Sequence, residues 1–97
     1  MGKSTQVIII NEKDNVAIAL RELKGGLQVS VEIQGRIQKI TLLSDIPMGH
    51  KFALKDMEEG EAVIKYGEPI GQSTVKISRG EHVHVQNVVS QPRGGSR

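Results

Sequence analysis

The sequence predicts a small, mostly β domain of short strands separated by single helical turns. "LQVSVEI" (27–33) alternates without a break, with Leu27, Val29, Val31 and Ile33 on one face and Gln28, Ser30 and Glu32 on the other. The remaining apolar runs are short, rich in Val and Ile, and closed by Gly, Asn, Asp or Pro. Finally, "RELKGG" (21–26), "KDMEEG" (55–60) and "VKISRG" (75–80) share an apolar residue at the third place and Gly at the sixth, each before a strand-like run. One helical turn needs one buried apolar residue, and Gly ends it at a positive φ, so a repeated strand, turn, glycine, strand unit accounts for all three.

Taken in order, "QVIII" (6–10) reads as a strand closed by the turn-forming cluster Asn11 to Asn15. "NVAIAL" (15–20) has mixed propensity, and the repeat decides it as strand. "LQVSVEI" turns at Gln34-Gly35-Arg36 and pairs with "IQKITLL" (37–43) as a hairpin. In "IPMGHKFAL" (46–54), Pro47 fixes a bend and Gly49 permits an unusual backbone angle before His50 and Lys51. "EAVIKYG" (61–67), "STVKI" (73–77) and "EHVHVQNVV" (81–89) complete the strands, with Glu68-Pro69 as a separator. Residues 7–90 form one domain, 1–6 a flexible start, and "QPRGGSR" (91–97) a tail of disordered composition.

A chain of 97 residues with 37% apolar content and only Phe52 and Tyr66 as aromatics builds a thin core, with little left to wall a deep pocket. A complete active site is expected to be shared with another chain or domain. The net charge of +2 is a property of the tail: without Arg93 and Arg97, 11 basic residues face 11 acidic ones. A neutral body without stacking aromatics excludes nucleic acid as the expected partner. No cysteine is available for disulfides or thiolate zinc sites. The apolar run near the start is far short of a signal-peptide core or membrane span, so a cytoplasmic protein with no membrane partner is expected. "GKST" (2–5) imitates the end of a phosphate-binding loop without the preceding strand or glycines.

The chemistry-bearing residues are few. His50 and Lys51 follow Gly49 at a bend, a corner suited to an anionic substrate or equally to an ordinary solvated loop. Lys65 and Tyr66, consecutive at a strand end, are expected on opposite faces, with Tyr66 filling core or interface. In "GEHVHVQN" (80–87), a strand would put His82, His84 and Gln86 on one side and Val83 and Val85 on the other. Histidines two apart lie about 6.6 Å apart along a strand, close enough to share a metal or carboxylate. The same pattern also describes an edge strand with a polar outer face. The metal candidates are His50, His82 and His84.

"DNVAIALRELKGG" (14–26), "IPMGHKFALKDMEEGEAVIKYGEPIGQST" (46–74) and "GEHVHVQN" together resemble the small amino-terminal domain of altronate and galactarate dehydratases. That module also occurs as a separate small subunit in two-chain relatives such as sulfolactate sulfo-lyase. The resemblance implies an SAF-type β-clip fold and a role as small subunit of a hydroxy-acid dehydratase-type lyase, inactive alone and completed by a large catalytic subunit. It further implies an acidic hydroxy-acid substrate, and a divalent, iron-type metal in the complete enzyme, with no cofactor held by this chain alone. Matching residues suggest His50 and His84 as catalytic and Lys51, Lys65 and Asn87 as substrate-binding. The family's closing segment usually reads Val-His-Val-His-Asn, so Gln86 stands where a histidine is common and His82 lies outside the usual pair. The alternative is a non-catalytic SAF-type module that binds carbohydrate or a partner.

Overall fold

The computed structural model describes residues 6–90, so the expectations for residues 1–5 and 91–97 lie outside the described part. Among the described residues there are strands, bridges and turns and no helix, and hence none long and apolar enough to cross a membrane. Nine strands among these residues form three small antiparallel sheets. The central sheet is ordered β1 (Val7–Ile8), β2 (Val16–Ala19), β5 (Lys51–Ala53), β8 (His82–Val83). The hairpin β3 (Gln28–Ile33) to β4 (Arg36–Thr41) is a second sheet, and β6 (Ala62–Lys65), β7 (Glu68–Ser73) and β9 (Val88–Ser90) are the third.

The glycine-ended units are present, but as bridge-and-turn segments instead of helical turns. Each presses its third residue inward, where Leu23, Met57 and Ile77 are buried. A fourth copy, "SDIPMG" (44–49), buries Ile46 in the same way and escapes sequence comparison because Pro47 dominates its appearance. The four copies pair: Leu23 bridges Ile46, and Met57 bridges Ile77. Each pair is also tied by a carboxylate, Asp45 accepting from the Gly25 N–H at 2.8 Å and Asp56 from the Arg79 N–H at 2.8 Å. Such side-chain acceptors give turn N–H groups the partners that a helix would otherwise supply. The chain is thus two similar halves, each a strand, a turn unit, a hairpin and a second turn unit. The corresponding residues Ala19 and Ala53 each donate to the residue after the second unit's glycine, His50 and Glu81 respectively.

The interior is divided likewise. Val29, Val31, Ile40, Leu42, Phe52 and their neighbours form one cluster, and Val16, Ala53, Met57, Val63, Ile77 and Val83 form another. The predicted strands at 15–20, 27–33 and 37–43 are all found, with Val29 and Val31 buried as the alternation requires. Three strand expectations fail, the first being "STVKI" (73–77), which is no separate strand because Ser73 ends β7 and Ile77 makes only an isolated bridge. Glu68-Pro69 is not a separator but the start of β7, because a bulge between Val63 and Ile64 lets Pro69 enter the pairing where the ladder is already irregular. The segment 81–89 is not one strand: it pairs as β8 for two residues, turns through 84–87, and resumes as β9 in a different sheet.

Candidate functional site

That break in the last segment creates the site. Were 82–88 extended, His82 and His84 would stand in a row. Instead, the Asn87 N–H donates to the His84 carbonyl at 3.1 Å and closes a turn. The Asn87 side chain completes it from inside, accepting from the His84 N–H at 3.0 Å and donating to the His82 carbonyl at 2.8 Å. Asn87 is itself buried. The turn carries the His84 ring onto His50, with centroids 4.1 Å apart and planes 22° from parallel.

His50 arrives from the opposite direction. Gly49, at φ 84°, closes the turn of the second unit, and the His50 N–H donates to Pro47 O while its carbonyl accepts from Ala19. The ring is therefore held beside the end of β8, where its Nδ1 lies 2.9 Å from Nε2 of His82. One ligand nitrogen from each of His50, His82 and His84 falls within 4.8 Å of the others. All three rings are half-buried.

The surroundings disfavour the charged forms of His82 and His84. Burial and the facing His50, His84 and Lys51 hold His82 below the ordinary histidine range, and burial with His50 and Lys51 does the same for His84. Lys51 is lowered by burial and then by the charge of Lys65. His82, His84 and Lys51, each disfavoured as a cation, thus form one patch with His50 and Lys65, suited to an anion or, through the imidazole lone pairs, to a divalent cation.

Lys65 does not part from Tyr66 as alternation would require. Tyr66 adopts φ 59° and Gly67 φ 75° in the hairpin turn, which leaves the pleat, and Lys65 Nζ sits 4.9 Å from the Tyr66 ring centroid. Tyr66 is exposed and fills no core. The turn is clamped from outside: the Asp14 carboxylate accepts from the Gly67 N–H at 2.8 Å, and Asn15 accepts from the Ile64 N–H at 2.8 Å while donating to Ala62 O at 3.0 Å. Sequence reasoning assigned Asp14 and Asn15 only to a turn cluster. The available signal was their place at the head of the family-like "DNVAIALRELKGG".

His50, His82, His84, Lys51 and Lys65 are brought together, whereas the side-chain polar groups of Asn87 are directed at backbone. A groove lined by Val7, Ile8, Ile10, Leu20 and Val31 and another lined by Asp14, Asn15, Leu54 and Glu61 lie elsewhere on the molecule, apart from the half-buried histidines.

Residues 5–91 match the family model described as the altronate/galactarate dehydratase SAF domain. The chain is 49% identical to altronate dehydratase of Escherichia coli (strain K12) over 82 residues, covering 84% of this chain and 16% of that enzyme. It is 47% identical over 55 residues to the (2R)-sulfolactate sulfo-lyase subunit alpha of Chromohalobacter salexigens, covering 57% of this chain and 58% of that subunit. Galactarate dehydratase (L-threo-forming) of Escherichia coli is 34% identical over 82 residues, covering 84% of this chain and 15% of that enzyme. The chain thus spans about one sixth of the dehydratases it matches. With the match running across both halves of the fold and through every residue of the histidine and lysine cluster, the chain belongs to the altronate/galactarate dehydratase SAF-domain family.

Proposed function

We propose that this chain is the small component of a dehydratase-type lyase and presents its histidine and lysine cluster to an acidic hydroxy acid in a site completed by a larger catalytic chain. The observation that carries the proposal is the convergence of the half-buried His50, His82 and His84, with Lys51 and Lys65 close enough to bias their charge. An elimination of this kind takes a weakly acidic proton beside a carboxylate and lets a β-substituent depart, so it needs a base, positive charge near the carboxylate, and an acid. Lys51 and Lys65 supply charge for the carboxylate and for the negative charge that builds on it as the proton leaves. His84, neutral and stacked on His50, is the group for proton transfer, and His50 orients it. Asn87 acts by holding the turn that places His84.

The family resemblance implies a divalent metal, and the donor set fits one, since three imidazoles with ligand atoms within 4.8 Å of one another suit an iron-type or zinc-type cation. His50, His82 and His84 would hold it, in which case His84 would serve as a ligand instead of the proton-transfer group, and the ion would supply a Lewis acid for substrate oxygens. Three histidines leave coordination positions for substrate or for groups of the larger chain.

The test is made on the enzyme reconstituted from both chains. His84→Ala lowers kcat by about 10²–10⁴-fold, the usual range for a general acid or base. Lys51→Met chiefly raises KM. An unchanged kcat in His84→Ala would favour a non-catalytic binding module instead.

A further inference from the structure

We propose that Gln86 sets the tautomer of His82 and, through it, that of His50, making it a positioning residue for the whole cluster. The inference rests on the proposed function only in treating the cluster as the working site. The Gln86 amide nitrogen lies 3.4 Å from the His82 carbonyl oxygen and 3.1 Å from His82 Nδ1. A carbonyl oxygen only accepts, so the amide turns its NH₂ end toward it, and the same nitrogen faces Nδ1. An amide nitrogen only donates, so Nδ1 of His82 presents its lone pair. A neutral imidazole has one ring proton, which then resides on Nε2. That Nε2 is 2.9 Å from Nδ1 of His50, so it donates there, and His50 keeps its own proton on Nε2.

The result is a directed chain of donors from Gln86 through His82 to His50. In this arrangement neither His82 Nε2 nor His50 Nδ1 has a lone pair to spare, and His84 alone among the three has no ring hydrogen bond among the described residues. For Nε2 of His82 to serve as a metal ligand, its proton must move to Nδ1 and the Gln86 amide must turn over to accept it through Oε1. Glutamine can do both because its amide has a donor end and an acceptor end. Partners of this type, hydrogen-bonded to the ring nitrogen away from the ion, fix ligand orientation and affect affinity by about 10–100-fold.

The test uses long-range proton–nitrogen correlation spectra of the histidine rings at about pH 8, above the ordinary histidine range, with the wild-type chain, Gln86→Leu and Gln86→Glu. Gln86 lies in an exposed turn, so both variants keep the fold. The wild type shows His82 protonated at Nε2, Gln86→Leu shows a mixture, and Gln86→Glu, whose carboxylate only accepts, shows Nδ1 protonation. In a parallel zinc titration Gln86→Glu binds about tenfold tighter than wild type. A wild-type His82 protonated at Nδ1, or one tautomer ratio in all three proteins, overturns the assignment to Gln86. Zinc uptake by none of them overturns the metal role of the cluster, an outcome separable from the tautomer result.

Discussion

Asn87 shows how much one buried amide can organise. Its side chain satisfies the His84 N–H and the His82 carbonyl at the point where the chain leaves one sheet for another. Asn87→Ala leaves both groups to water or to nothing, which costs about 1–3 kcal/mol where a buried partner is lost. Urea unfolding of Asn87→Ala is expected to show that loss, together with shifted ring resonances for His84, while Asn87→Asp retains the acceptor and recovers part of the stability. The histidines give a pH signature. Because His82 and His84 are held below their ordinary range in the fold, the unfolded chain binds protons first as pH falls. Their contribution to stability is complete above the unfolded value and is lost as pH drops below about 6.5. With chelator present, the urea midpoint is expected to decline from about pH 7.5 to about pH 5.5, and His82→Asn/His84→Asn to flatten that decline. Glu61, held low by Lys55, acts in the same direction in the carboxylate range below it. A midpoint that rises on acidification would contradict the assignment.

Among the elements, the four bridge-and-turn units depend on their glycines to unequal degrees. Gly60 has φ 86° with open space where an added methyl group would sit, so Gly60→Ala is expected to cost only the left-handed backbone penalty, about 1–2 kcal/mol. Gly80 has φ 89°, and a Cβ there overlaps the carbonyl oxygen of Thr41, so Gly80→Ala is expected to cost about 2–5 kcal/mol. Equal unfolding midpoints for the two variants would refute the packing argument. These units also show where sequence was informative. The apolar residue at the third place and the glycine at the sixth were visible in three copies, and strict alternation gave β3 in full. Helical turns were the wrong inference because the units bridge to one another across the chain, Leu23 to Ile46 and Met57 to Ile77, and Asp45 and Asp56, distant in sequence, cap the turns at 21–26 and 75–80. The fourth unit and the bulge that admits Pro69 were hidden for a related reason: both depend on pairing across the chain.

As a whole, the molecule gathers on one face residues that lie far apart in sequence. His50, Lys51, Lys65, His82 and His84 were each visible as candidates, but their convergence required knowing that β5 pairs with β8 and that the last segment breaks after Val83. The regular strand expected for 81–89 also put His82 and His84 on one side, but it is the turn at 84–87 that stacks the His84 ring on His50. Gln86 was visible as a departure from the family pattern on the side of His82 and His84, and its contact with His82 gives that departure a physical meaning. The most direct test is turnover of altronate, galactarate and (2R)-sulfolactate by three preparations: this chain, a candidate larger dehydratase-type chain, and the two mixed. The account predicts turnover of at least one acid on mixing only, lost again when His84→Ala replaces the wild-type chain. Turnover by this chain alone, or a partner chain whose activity is the same with and without it, would contradict the account.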